Sequence, residues 1–157
     1  RPAINHYFAD KQTLFREVLA EADRGVVAAG IERARQSTTL VDRLTAFLDT
    51  VVEIDADRSI AAFQVTAMLE SRRHPELFEA DGPERSTREF LAWTLTDAID
   101  RGELAAGTDV PALVELLIAL LWGVGFYAGF VGSHDDVQTV VAQLKLLLGE
   151  RLWQPPR

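Results

Sequence analysis

The sequence of 157 residues contains no cysteine, which excludes disulfide bonds, a thiolate nucleophile and any metal site built on cysteine. This composition agrees with a reducing cytosol. No segment alternates apolar and polar residues for long enough to form a strand, and no internal repeat or low-complexity segment is present. Apolar residues make up 48% of the chain and charged residues 25%, which is typical of one folded domain.

Basic residues are scarce relative to acidic ones, since 16 lysines and arginines face 24 aspartates and glutamates, for a net charge of −8. Such an excess of acid is unfavourable for nucleic-acid binding, because phosphates repel it. The charge is unevenly distributed: residues 1–36 carry six basic and five acidic residues, and residues 37–157 carry ten and nineteen. The net charge therefore neither supports nor refutes DNA binding at the N-terminal end.

Residues for catalysis or metal binding are also sparse. The three histidines, His6, His74 and His134, are far apart in the sequence, and each is near the end of a predicted helix. Glu70 and His74 are four residues apart, but no second pair completes a di-iron site. We therefore expect no enzymatic activity, no metal and no cofactor, and an all-helical enzyme is the weakest of the functional alternatives.

Apolar residues recur at steps of three and four along most of the chain, which predicts an all-α fold. Ser37, Thr38 and Thr39 end the first long helix, and Thr39 with Asp42 forms a capping box for the second. The pattern predicts helices from Asp10 to about Arg35, from Thr39 onward, from Asp57 to about Arg73, from Asp81 to Gly102, from Pro111 to about Val131 and from Asp135 to about Leu152.

Residues 116–132 contain no charge, and apolar residues cover the whole circumference of the predicted helix. Such a helix is buried on every side or lies in lipid. These 17 residues are at the lower limit for a membrane span, and the glycines and Glu115 favour the soluble alternative. We expect a second copy of the chain to cover the last two helices in a twofold dimer, although a hairpin buried in one protomer is an alternative. The predicted interface consists of Leu117, Leu121, Gly125, Gly129, Val137, Val140, Val141, Leu144 and Leu148.

The helices between the two ends carry large or polarisable residues that could surround a small molecule. An apolar cavity with a few polar groups is the usual site for such a ligand. Gln64 and Tyr127 are the expected polar contacts, because neither requires burial of a charge. Each member of the set also fits a packed core. The candidate ligand-binding residues are Phe63, Gln64, Met68, Phe90, Trp93, Trp122, Phe126 and Tyr127.

The segment at residues 4–15 reads INHYFADKQTLF. An aromatic run closes one predicted helix, and Lys11 lies in the first turn of the next, where a cation and backbone N–H groups suit a phosphate. The segment resembles the end of the helix-turn-helix of the tetracycline-repressor (TetR) family. That pattern runs aliphatic, Tyr or Asn, any residue, His or Tyr, Phe, two small or polar residues, Lys, two further residues and Leu. Asn5 stands here in place of the commoner Tyr.

The resemblance implies that residues 1–36 are the end of a DNA-binding domain with its connecting helix, and that residues 37–157 form a ligand-binding and dimerisation domain. Asn5, His6, Tyr7 and Lys11 are the implied DNA contacts. The implied protein is a cytoplasmic, ligand-responsive transcriptional regulator, a repressor that an apolar small-molecule effector releases from operator DNA. The implied regulator is a homodimer and has no membrane partner. The alternative is an all-helical dimeric binding or scaffold protein without DNA-binding activity.

Overall fold

The computed structural model describes residues 13–14, 17, 25–54, 59–73 and 84–149. Residues 25–35 form helix α1. Five helices follow it in the described part of the chain: α2 (Leu40–Ile54), α3 (Ser59–Arg73), α4 (Glu84–Asp100), α5 (Val110–Phe130) and α6 (His134–Leu148). No strand occurs among the described residues. The predicted all-α fold is confirmed.

Side chains that precede α2, α5 and α6 bind the free N–H groups of the first turn. The Thr39 hydroxyl accepts from the Asp42 N–H at 3.1 Å, and it donates to the Asp42 carboxylate at 2.7 Å. Asp109 caps α5 through a 3.0 Å hydrogen bond. Ser133 and Asp136 form a reciprocal capping box, with N–H to side-chain distances of 2.8 and 3.2 Å. These short motifs set where the helices begin.

Glycines end α4 and α6. Gly102 has a φ of +74°, a conformation that favours glycine because it lacks Cβ. Its N–H donates to the Ile99 carbonyl at 2.9 Å, and the next N–H donates to the Ala98 carbonyl at 2.8 Å. The predicted end of α4 near Gly102 is confirmed. The predicted end of α6 is wrong, because the helix ends at Leu148 and Gly149 caps it.

Helix α5 lies at the centre of the bundle, where it contacts α3, α4 and α6, while α2 contacts α4 and α6. The main core joins α1, α2, α4 and α5, and in it the Phe47 and Phe90 rings stack with centroids 5.2 Å apart. A smaller core joins α3, α5 and α6 through Ala61, Ala128, Val137 and Val141. Three helices therefore pack against α5 within the protomer.

Gly129 lets α5 approach α3 closely within one protomer. An ideal Cβ at this position would lie 2.7 Å from the backbone nitrogen of Ala62 and 2.8 Å from its Cα. The sequence interpretation placed Gly129 against a partner helix. The structure instead gives this close approach to α3 of the same chain.

By length and composition, α5 is the one helix in the described part of the chain that could cross a membrane, with a mean hydropathy of 1.9. The core helix of a soluble protein meets the same criteria. Only 17% of the apolar window of α5 is buried within the protomer. Nine further residues of α5 are half-buried and eight are exposed, so part of its apolar surface is left uncovered within the protomer.

Candidate functional site

A partly open cavity of about 130 Å³ lies among the helices. Valines of α1, an aromatic and aliphatic face of α2, the start of α3 and one face of α5 form most of its wall. Its apolar lining includes Val26, Val27, Phe47, Leu48, Val51, Val52, Ile60, Ala61, Val65, Ile118, Leu121, Val124, Gly125, Ala128 and Val137. An apolar cavity of about 150 Å³ can hold a molecule the size of benzene, so this one suits a small ligand.

One face of α5 lines the cavity through Ile118, Leu121, Trp122, Gly125 and Ala128, which recur at steps of three and four. No atom lies within 4 Å of an ideal Cβ at Gly125. A larger residue at this position would therefore project into the cavity. The role predicted for Gly125 was contact with a partner helix, whereas the structure places it in the cavity wall.

The polar residues of the cavity wall include Gln64, Glu84, Thr87 and His134. Glu84 is the first residue of α4, and its side chain is 22% exposed. One oxygen of its carboxylate accepts a hydrogen bond from the Trp122 indole N–H at 2.5 Å. The other accepts from the Arg88 guanidinium. Two helices therefore hold this carboxylate in a fixed position at the cavity.

Arg88 joins Glu84 to Glu115 on α5. The Arg88 Nε–H donates to Glu115 at 2.9 Å, and a second N–H donates to the other oxygen at 3.3 Å. Hydrogen bonds to Glu115 and then to Glu84 raise the pKa of Arg88 further above its ordinary range. The bond from Arg88 lowers the pKa of Glu115. One guanidinium therefore faces two carboxylates, and the cluster carries a net negative charge.

The structure brings two of the eight predicted ligand-binding residues, Gln64 and Trp122, into the cavity wall. Phe63 and Met68 are half-buried on α3 and do not line the cavity. Phe90 is buried in the main core against Phe47. A phenylalanine suits a cavity wall as well as a packed core, so the sequence alone could not assign Phe90 to one of these environments.

The other three predicted ligand contacts also lie away from the cavity. Trp93 is 45% exposed, and the Arg43 guanidinium lies 4.7 Å from its ring centroid. Phe126 is 52% exposed and stacks on Phe130 with centroids 5.5 Å apart. Tyr127 packs against the smaller core. The expectation that Tyr127 provides a polar contact finds no support in its position.

Several residues of the cavity were missed in the sequence. Glu84, Thr87 and His134 lie near helix ends, where polar residues are ordinary, so nothing marked them as facing a cavity. Val26 and Val27 are valines, a residue type that fits a packed core as well as a cavity wall. The only sequence feature that could have indicated the cavity is the acidic Glu84 near an apolar helix, and this combination is too common to predict a cavity.

The predicted dimer interface divides into buried and accessible residues. Leu117, Val137 and Val141 are buried inside the protomer, so they are not available to a second copy. Val140 is exposed, and Leu121, Leu144 and Leu148 are half-buried. The sequence could not separate these groups because apolar residues surround α5 on all sides.

A continuous exposed face runs along α5, opposite the cavity. Its members are four and three residues apart in alternation, and all of them are exposed. We call this set the α5 stripe: Ala112, Leu116, Ala119, Gly123, Phe126 and Phe130. At about 100° per residue, its centre lies across the helix from Gly125 and the rest of the cavity wall. Soluble proteins rarely leave such a face uncovered.

The predicted DNA contacts Asn5, His6, Tyr7 and Lys11 lie outside the described residues. No group of acidic residues or histidines that could hold a metal ion occurs in the described part of the chain. Searches against models of protein families, curated proteins and solved structures found no match to this chain.

Proposed function

We propose that this chain is the sensing and dimerisation part of a ligand-responsive transcriptional regulator, a repressor that a small molecule releases from operator DNA. The observation that carries this proposal is the position of Val26 and Val27 in the cavity wall. They belong to α1, the helix that follows the TetR-like segment at residues 4–15. A ligand in the cavity would therefore touch the helix that leads to the proposed DNA contacts.

The proposed switch acts through α1 and α5. A ligand that fits the cavity better in one arrangement of these helices shifts the population toward that arrangement. In the dimer, the spacing of the two recognition helices then changes from about 34–36 Å, which fits successive major grooves, to one that does not. The size of the effect is limited by the difference in ligand affinity between the two arrangements.

A second copy of the chain is the proposed cover of the α5 stripe. Its members lie in pairs at equal distances from residue 121: Ala119 with Gly123, Leu116 with Phe126, and Ala112 with Phe130. In an antiparallel contact across a twofold axis near residue 121, each residue meets the other member of its pair. Small residues meet at the centre, where the helices approach closely, as a self-complementary interface requires.

The ion pair of Glu115 with Arg88 lies beside the α5 stripe and supports a protein partner rather than lipid. The Glu115 side chain is 61% exposed. Charged groups that face lipid are costly, whereas a polar rim is an ordinary part of a protein interface. The proposed interface therefore includes residues that the sequence interpretation did not select.

The dimer is tested by sedimentation of the wild type and two charge variants. Phe126→Glu places a carboxylate in the α5 stripe and should dissociate the dimer. Leu69→Glu makes the same kind of change at a position that is 51% exposed on a different helix, α3, and should leave the dimer intact. A wild-type monomer at micromolar concentration, or equal behaviour of both variants, would refute the proposed interface.

DNA binding is tested with the full-length protein as its gene encodes it. Selection from a random pool of duplex DNA should recover an inverted repeat with half-sites about one helical turn apart. Lys11→Ala should weaken binding to all sequences and reduce the salt slope by about one unit, because one phosphate contact is lost. Lys145 is the only other lysine of the chain and pairs with Asp49 in the helical body, so Lys145→Ala is the matched control.

A second candidate function is a dimeric helical binding protein without DNA-binding activity. The cavity and the α5 stripe favour it as much as they favour a regulator, since neither feature needs DNA. Selection that recovers no preferred sequence, together with an unchanged salt slope in Lys11→Ala, would decide for this alternative. A ligand that binds without changing operator affinity would keep the cavity and remove the switch, because the two affinities must change by the same factor.

A further inference from the structure

The one acidic side chain among the described cavity-lining residues is Glu84, and its position is fixed. The Trp122 indole and the Arg88 guanidinium each hold one carboxylate oxygen. A ligand that enters the cavity therefore meets a charge that is already in place, so little ordering is required when it binds.

Arg88 does not neutralise this charge. Its guanidinium is shared between Glu84 and Glu115, and two carboxylates with one guanidinium leave one net negative charge. Glu84 lines the cavity, whereas neither Glu115 nor Arg88 does. The negative side of the cluster therefore faces the space that a ligand would occupy.

The surrounding wall increases the effect of the charge. Apolar residues of α1, α2 and α5 form most of the cavity surface. Charges interact more strongly near such a surface than in bulk water, and clefts of one sign concentrate ligands of the opposite sign. A carboxylate ligand in the same space would be repelled by Glu84.

From these observations we propose that the effector is a small apolar cation whose protonated amine lies beside Glu84. Its apolar part would contact Val27, Phe47 and Ile118. This inference rests on the proposed role of the cavity as the sensing site. The volume of about 130 Å³ favours a molecule with a single ring or a chain of similar size.

The test compares benzylamine, benzyl alcohol and benzoate by calorimetry at neutral pH. The three probes share a ring and differ in charge. Benzylamine should bind at least about tenfold more tightly than benzyl alcohol, as expected for a hydrogen bond to a charged group, and benzoate should bind most weakly. Equal affinities, or a preference for benzoate, would overturn the proposed ligand class and leave the cavity as a binding site.

Two substitutions separate the charge of Glu84 from its structural role. Glu84→Gln keeps an acceptor for the Trp122 indole and removes the charge, so the preference for benzylamine over benzyl alcohol should disappear. Glu84→Asp keeps the charge and should keep the preference. Glu89→Gln is the matched control, because Glu89 lies on the same helix, outside the cavity, and pairs with Arg85.

The outcomes distinguish this inference from the proposed function. A folded Glu84→Gln variant that still prefers benzylamine would overturn the role of Glu84. If none of the three probes binds the wild type at millimolar concentration, both the ligand class and the sensing cavity are refuted. If benzylamine binds as expected but leaves operator affinity unchanged, the ligand class stands and the proposed regulatory function fails.

Discussion

Gly129 provides a direct test of the packing between α3 and α5. In Gly129→Ala the new methyl group would lie 2.7 Å from the backbone nitrogen of Ala62, and ordinary contacts begin at 3.4 Å. One helix must therefore move by about 0.7 Å, from 2.7 to 3.4 Å, because the obstacle is backbone and not a flexible side chain. Overpacking of this kind costs about 1–3 kcal/mol.

The same substitution has a favourable component, since alanine is a better helix former than glycine by about 1 kcal/mol. Gly129→Ala should therefore lower the free energy of unfolding by a net of about 1 kcal/mol. Gly125→Ala, one turn earlier on the same helix, meets no atom within 4 Å and should raise that free energy by about 0.5–1 kcal/mol. The two variants thus differ by about 2 kcal/mol.

Urea unfolding at a fixed protein concentration measures this difference, and fixed concentration removes the effect of self-association on apparent stability. In thermal unfolding the difference corresponds to about 4–8 °C for a domain of this size. If Gly129→Ala and Gly125→Ala both stabilise the protein to a similar extent, the close approach of α3 and α5 is wrong.

Three further substitutions test other parts of the structure. Thr94→Val should leave stability unchanged or raise it by about 1 kcal/mol in urea unfolding, because the Thr94 hydroxyl is fully buried without a hydrogen-bond partner in the described part of the chain; a clear loss would imply a partner for this hydroxyl. Ser133→Ala should lower stability by about 1 kcal/mol. The Ser133 hydroxyl and then its backbone N–H lower the pKa of Asp136, so the stabilisation from the Asp136 carboxylate is fully present above about pH 3.9 and is lost as the pH falls through the lower folded value. The hydrogen bond from the Asp136 N–H to the Ser133 hydroxyl does not titrate, so the Ser133→Ala effect should become smaller in acid without vanishing; an effect of the same size above and below that range would contradict the assignment. Gly125→Leu should fill the cavity and abolish binding of benzylamine in calorimetry without changing sedimentation, and dissociation of the dimer would instead place Gly125 at the interface.

Local features of the fold were predictable from the sequence because each depends on a few neighbouring residues. Thr39 with Asp42 marks the start of α2, and Gly102 marks the end of α4, since capping requires a specific side chain or a positive φ. The end of α6 was predicted too late. Apolar periodicity continues toward Leu152, and Gly149 was not recognised as the stop.

The inward face of α5 could not be predicted. Periodicity identifies a buried face only when the opposite face is polar, and residues 116–132 are apolar all round. Leu117 was therefore assigned to a partner although it is buried in the protomer, while Leu116, one residue earlier, is 55% exposed. Only the tertiary structure distinguishes these two leucines.

The cavity was equally hidden in the sequence, because its lining consists of the residue types that also fill a core. Phe90 on α4 and Trp122 on α5 are both large aromatic residues, yet only Trp122 lines the cavity. Glu84 could be read only as a favourable acid at a helix start. Its contact with the Trp122 indole joins residues 38 positions apart, which no local pattern reveals.

The lack of charge along α5 can be explained by three separate demands on one helix. One face packs against α3 and α4, a second lines the cavity and a third forms the α5 stripe, so a charged residue would be unfavourable almost anywhere from 116 to 132. A membrane span would produce a similar composition, but it would not require the cavity face or the close approach at Gly129. The same arrangement places the proposed effector and the proposed partner on opposite sides of α5, about one helix diameter or 10 Å apart. A change in how α5 packs at the cavity would thus reach the twofold contact directly, which is the physical route by which ligand binding could alter the geometry of the dimer.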